Sequence, residues 1–264
     1  MRTLRLASAV LASVSLAGAA LVGLAVGPAM AIDPSLLRMP YRTPPPVASW
    51  TGCYVGATLG GVWGKSDVTW APNPPGFTLG GVLTAGAART TLSSSGFSGG
   101  GEVGCNYQMS SWLVLGVEGD FESAALGTTR TAGSAAGGGP FTETFGSHWL
   151  STIRGRAGVA VGQWLFFASG GAAFANLSLT DQIFFAGSSN MGAFNGTVTG
   201  WTVGGGVEWA VTPRWTVKGE YLYVDLGNTS YTSPNSNPAN VVSTILHSHN
   251  VTESIGRFGL NYRL

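Results

Sequence analysis

The stretch Trp215-Thr216-Val217-Lys218-Gly219-Glu220-Tyr221-Leu222-Tyr223-Val224 decides the fold. Val217, Tyr221 and Tyr223 fall on one face, while Thr216, Lys218 and Glu220 fall on the other. Side chains of a strand alternate between faces with period two. The stretch therefore predicts a strand with one apolar and one charged face, opened by a Trp.

Working outward, the same alternation recurs in seven other places. It runs over Trp50–Trp63 (Cys53, Val55, Ala57, Leu59, Trp63), Phe97–Tyr107 (Val103, Cys105), Trp112–Glu122 (Leu113, Leu115, Val117, Phe121) and Trp149–Val161 (Ile153, Ala157, Val159). It returns at Trp201–Trp209 (Val203, Val207) and Val251–Leu264 (Phe258, Leu260, Tyr262), and Trp164–Leu179 is apolar on both faces in places. The total is eight strands of about ten residues or more, each long enough to cross a bilayer core when tilted.

The connections alternate in length. Short turns lie around Met109-Ser110-Ser111, Gly162-Gln163 and Ala210–Arg214. The stretches Gly64–Gly96, Ala124–His148, Thr180–Gly200 and Leu226–Asn250 are long and rich in Gly, Ser, Thr, Asn and Pro, and read as loops. Strands that leave the short-turn rim open with Trp50, Trp112, Trp164 and Trp215, and Trp209 and Tyr262 lie near that rim. A second set, including Trp63, Phe97, Phe121, Trp149, Trp201 and Tyr223, collects toward the long-loop rim. Two aromatic belts with short turns at one rim and long loops at the other predict an all-β, eight-stranded antiparallel up-and-down transmembrane β-barrel.

Composition agrees. Of 264 residues 41 are Gly, 9% are charged and 11% are aromatic, which excludes a disordered chain and a coiled coil. A formal charge of +1 without a Lys/Arg cluster argues against a nucleic-acid partner. Arg2, Arg5, an apolar run densest over Leu16–Val26 and the Ala29-Met30-Ala31 cleavage pattern predict a signal peptide over 1–31. Residues 32–49 carry Pro34, Pro40 and Pro44-Pro45-Pro46 and read as an extended linker. Residues 50–264 are left for the barrel.

The strand charges share the face opposite the aliphatic residues. They are Glu102, Glu118, Asp120, Glu122, Glu208 and Glu220 with Arg154, Arg156, Lys218 and Arg257. With the aliphatic face toward lipid, all ten converge in a lumen narrow enough at eight strands to be filled by side chains. The expectation is a salt-bridged plug, with a narrow gated pore as the rival. Gly100, Gly104, Gly116, Gly158, Gly204 and Gly206 would make room there. Cys53 and Cys105 mirror each other across the first hairpin, which permits a disulfide, and two free lipid-facing thiols fit equally. His148, His247 and His249 find no further ligand in the sequence spacing and read as solvated loop residues. No metal, cofactor or catalytic residue is expected. A membrane-embedded hydrolase would need a Ser/His pair at the rim.

Several blocks resemble a known family. They are Trp50-Thr51-Gly52-Cys53-Tyr54-Val55-Gly56, Gly104-Cys105-Asn106-Tyr107-Gln108, Val114–Asp120, Ile153–Gly158, Gly200–Gly204, Lys218–Gly227 and Arg257–Arg263. Together they are similar to the small outer-membrane β-barrel proteins of alphaproteobacteria, the porin-family or OmpA-like barrels. The resemblance implies an outer-membrane location, outer-membrane lipid as surround, insertion by the barrel-assembly machinery and no enzymatic activity. It also implies roles in envelope integrity and surface-loop presentation, with haem or small-ligand binding or a slow pore as the alternative. The ligand of the loops is left open. Two departures stand out: Cys53 and Cys105 replace aromatic residues, and Leu264 ends the chain where the family has Phe.

Overall fold

A computed structural model describes residues 49–73, 88–132, 141–185, 188–234, 236 and 244–264. The expected signal peptide, the linker up to residue 48 and the tips of the long connections lie outside them. The chain forms β1 (Gly52–Asn73), β2 (Ala88–Gln108), β3 (Leu113–Ala132), β4 (Phe141–Val161), β5 (Trp164–Phe185), β6 (Ser188–Ala210), β7 (Trp215–Pro234) and β8 (Thr244–Arg263). Every neighbour pair is antiparallel, and β8 returns to β1 from Tyr54↔Arg263 to Asn73↔Thr244, closing the barrel. No helix among the described residues is long and apolar enough to cross a membrane.

The alternation sets the two surfaces. Val117, Val203, Phe97 and Phe258 point outward and are exposed, while Glu118, Thr202 and Arg257 on the opposite face are buried in the lumen. β5, ambiguous in the sequence, turns Leu165, Leu177 and Leu179 inward and Phe166 outward. Its inner face is apolar because the upper lumen is apolar.

The strands are 20 to 23 residues long, nearly twice what the alternation marks. Much of what reads as loop is strand. Along β7 the lower belt at Trp215 and the upper belt at Tyr223 stand eight residues apart, about 20–25 Å of height after tilt. The remainder of each strand rises beyond the upper belt. There the outer face meets water instead of lipid, so its apolar residues give way to Thr and Ser, as in Thr128-Thr129-Arg130-Thr131.

Beyond that belt the ring is not uniformly bonded. β2–β3 pairing ends at Ser98↔Ala124, and β6–β7 pairing ends at Trp201↔Asp225. The other six pairs continue to the strand tips. The extension is thus two four-stranded sheets, β3–β6 and β7–β8–β1–β2, facing each other across the lumen. Side chains span the seams. Ser94 Oγ meets both the N–H and the carbonyl of Gly127 at 3.1 Å, and Arg130 donates to Thr90 Oγ1 and to the Thr91 carbonyl.

Candidate functional site

The lumen is stacked in layers. At the short-turn end Trp50 is 1% exposed and packs with Val114, Leu165 and Ala210. This corrects the placement of Trp50 in the aromatic belt. Trp50 precedes β1, so the strand period does not govern it, and its ring closes the lumen from below, with Arg263 over it. Trp112, Trp164, Trp209 and Trp215 stay outward and exposed, and Tyr262 packs edge-on to Trp215.

Above Trp50 sits the charged layer, and all ten expected residues are buried there. Arg154 donates to Asp120 at 2.9 Å, to Glu220 at 2.5 Å and to Glu118. Arg156 donates to Glu208 at 2.8 Å and lies 4.1 Å over the Phe167 ring. Lys218 donates to Glu102 at 2.5 Å and to Glu118 at 3.0 Å. Arg257 reaches Asp120 at 2.9 Å, Glu220 at 2.7 Å and Glu122. Buried charges persist only when paired and hydrogen-bonded, and here each cation serves two or more acids.

Neutral side chains complete the network, and the sequence reading missed them. Tyr54 donates to Glu118 and accepts from Arg156 at 2.7 Å. Thr58, Thr152 and Thr216 donate to Glu122, Asp120 and Glu208. Their inward parity is readable in the sequence, but their type is not diagnostic. Gly104 is required beside Tyr54, because a Cβ there would lie 2.4 Å from the phenol oxygen. Glu102, Glu118 and Glu220 converge closely enough to hold a cation. The Lys218 ammonium already occupies that place, contacting all three.

Next comes an apolar layer of Val62, Leu126, Phe145, Leu150, Leu177, Leu222, Val224 and Ile255. A second polar cluster lies above it, beyond the upper belt. Asp181 of β5 accepts from Tyr231 of β7 at 2.6 Å and lies 2.9 Å from His249 Nε2 and from His247 Nδ1 of β8. Ser66 contacts His249 at 3.1 Å, Ser233 contacts His247 at 2.8 Å, and the rings of His247 and His249 both stack on Tyr231. Beside them Trp70 donates to Glu143 at 3.1 Å and packs edge-on to Phe141. These contacts tie the two sheets together. Burial alone would raise the Asp181 carboxyl, but His247 and His249 against it hold it well below the usual range. Burial, then Asp181, pushes Glu143 up to about 7 and lifts the Tyr231 phenol far above its ordinary value. Ile183 and Ile245 pack over the top.

Two of the three expected loop histidines are therefore core residues; only His148 is exposed. A bulge at Gly227, φ +68°, shifts β7 by a residue between Asp225 and Asn228 and turns Tyr231 and Ser233 inward. Ser233, His247 and Asp181 stand in the order of a Ser-His-Asp triad, though His247 Nδ1 approaches Asp181 at 2.9 Å without hydrogen-bond geometry. All three are buried, Ser233 completely. Cys53 and Cys105 stand directly opposite in β1 and β2, with sulfurs bonded at 2.06 Å on the lipid-facing side.

Comparison with known proteins follows the same lines. The chain is 30% identical over 227 residues to the 31 kDa outer-membrane immunogenic protein of Brucella melitensis biotype 1, covering 85% of this chain and 88% of that one. It is also 30% identical over 186 residues to the 22 kDa outer membrane protein of Rhizobium leguminosarum bv. viciae, covering 70% and 69%. Among solved structures, the outer membrane protein OprG of Pseudomonas aeruginosa aligns over 82% of this chain and 99% of its own, at 10% identity and a TM-score of 0.47. The family model for the outer membrane protein beta-barrel domain matches residues 17–244. With a closed ring of eight strands, an apolar outer face and relatives of this length, the chain belongs to the outer membrane β-barrel domain family and is a protein of the cell outer membrane.

Proposed function

We propose that this barrel neither conducts nor catalyses, and that its work is mechanical: it stiffens the outer membrane and holds two tall polar sheets and their connecting loops at the cell surface. The observation that carries the reading is the lumen. It is filled in succession by Trp50, the ten-charge network, the apolar layer and the Asp181 cluster. The surround is outer-membrane lipid, and insertion falls to the barrel-assembly machinery. Planar-bilayer recording of the purified protein tests the plug, and the expected result is no steady unitary step. Regular openings would instead support a narrow pore or small-ligand transport. In cells, deletion should raise detergent sensitivity, and a plasmid copy should restore resistance.

One observation favours a different reading, the triad order of Ser233, His247 and Asp181. A fluorophosphonate probe on the folded barrel separates the two. No labelling is expected; labelling lost in Ser233→Ala would establish a hydrolase.

A further inference from the structure

We propose that the outer face of β7, β8, β1 and β2, at the height of the upper aromatic belt, holds the phosphorylated sugar headgroup of an outer-leaflet glycolipid.

The register builds the site. One row across the four strands reads Tyr223, Ser254, Trp63, Ser95, and the row above it reads Asp225, Thr252, Lys65, Ser93. All eight point outward. Four hydroxyls thus form a floor two residues deep, about 14 Å wide at the usual strand spacing. Trp63 and Tyr223 rise from it as aromatic walls. The Trp63 ring leans toward the membrane centre over Gly61 and Gly256, where a Cβ would lie 3.1 and 3.6 Å from it, and so away from the hydroxyls, of which Ser254 accepts from Tyr221 at 3.0 Å. The groove lined by these residues, with Asp225 just outside it, has a volume of about 660 Å³, within the range of small-molecule sites.

Its chemistry fits a phosphorylated sugar. Aromatic faces and hydroxyls suit a pyranose ring. Lys65 is half exposed, with Asp67 at 3.2 Å, and Asp67 takes the Thr91 hydroxyl at 2.6 Å. Arg89 lies further up β2 on the same face, and its cation also bears on Asp67. The Lys65 end therefore keeps a net positive charge for phosphate. Asp225, on the edge strand β7 two strands from Lys65, accepts the Gly227 N–H at 2.8 Å on one carboxylate oxygen and has the other for sugar hydroxyls.

Depth names the occupant as a lipid rather than a soluble sugar. Long connections face the cell exterior in this kind of barrel, so the groove lies at the outer-leaflet boundary between water and hydrocarbon. Directly below it Phe97 and Phe258 are 79% and 73% exposed and continue the surface into the acyl region. A ligand with a charged sugar above and chains below meets complementary surface along its whole length.

The test uses the full-length barrel in nanodiscs of phosphatidylethanolamine doped with lipid A, with bound lipid counted by native mass spectrometry. Wild type should retain one lipid A against excess phospholipid. Lys65→Glu should lower retention about fivefold or more, and Ser254→Leu, which fills the floor, should lower it as well. Arg214→Glu, at the opposite rim, should retain lipid A as wild type does. Free glucosamine phosphate at matched concentration should not displace the lipid. Heat-modifiable gel migration checks closure of each variant, and Lys65→Met replaces Lys65→Glu should the latter fail to close. The proposal is overturned by equal retention in wild type and the Lys65 and Ser254 variants, by wild type showing no preference for lipid A, or by displacement with the free sugar phosphate.

Discussion

Glu143 is the side chain on which pH acts most directly in the extracellular sheets. It faces Asp181 of β5 and Trp70 of β1, with Arg130 of β3 opposite and Tyr231, His247 and His249 gathered on Asp181. Its folded pKa, about 7, stands above the ordinary 4.5. Its contribution to stability is therefore complete below about pH 4.5 and is lost as pH rises through about 7. Asp181 behaves oppositely: its stabilisation is present above the ordinary carboxylate range and is lost only in strong acid. Between pH 5 and 8 the Glu143 effect is thus expressed and the Asp181 effect is not. Amide exchange from the β4 and β1 tips around Phe141–Phe145 and Val68–Trp70 should quicken from pH 5 to pH 8 beyond the intrinsic pH effect. In Glu143→Gln that excess should vanish, and an unchanged profile would remove Glu143 as the cause.

At the scale of elements, the two halves of each strand were unequally legible. In the lower halves one face meets hydrocarbon and the other a charged lumen, so Val217 against Lys218, or Phe258 against Arg257, states the register outright. In the upper halves neither face meets lipid, and bulges break the count. Gly227 turns Tyr231 and Ser233 inward, and irregularities at Ser123/Leu126 and Ser147/Leu150 shift β3 against β4 and β4 against β5. His247 and His249 looked solvated because their partner Asp181 lies three strands away around the ring, a proximity that only closure creates. Trp50 misled because it obeys the spacing of the belts yet stands outside the strand. Ladder loss at the seams has a measurable consequence. An unpaired strand bond forfeits about 1 kcal/mol of protection, so the seam-facing amides of Arg89–Ser93 in β2 and Thr128–Thr131 in β3, whose other edges stay paired to β1 and β4, should exchange roughly fivefold faster than those of β8 at the same height. Uniform protection around the ring would mean that the seams close in the membrane.

For the whole molecule, layering separates stability from closure. The charged network is cooperative, since Arg154 alone serves Glu118, Asp120 and Glu220. Arg154→Met leaves those acids to share Lys218 and Arg257, with Arg156 at Glu118, and removal of one partner from a buried ion network costs about 3–5 kcal/mol. The urea midpoint of Arg154→Met should fall accordingly, and the double variant Arg154→Met, Glu220→Gln should recover part of the loss because it removes one stranded acid. Conductance should not follow stability. Trp50 still closes the lumen below, and Phe145, Leu177 and Leu222 still fill it above, so a folded Arg154→Met barrel should remain as silent in a planar bilayer as wild type. Were the single substitution to open steady current, the charged layer alone would be the barrier, and the apolar layers above it would have to be permeable to ions.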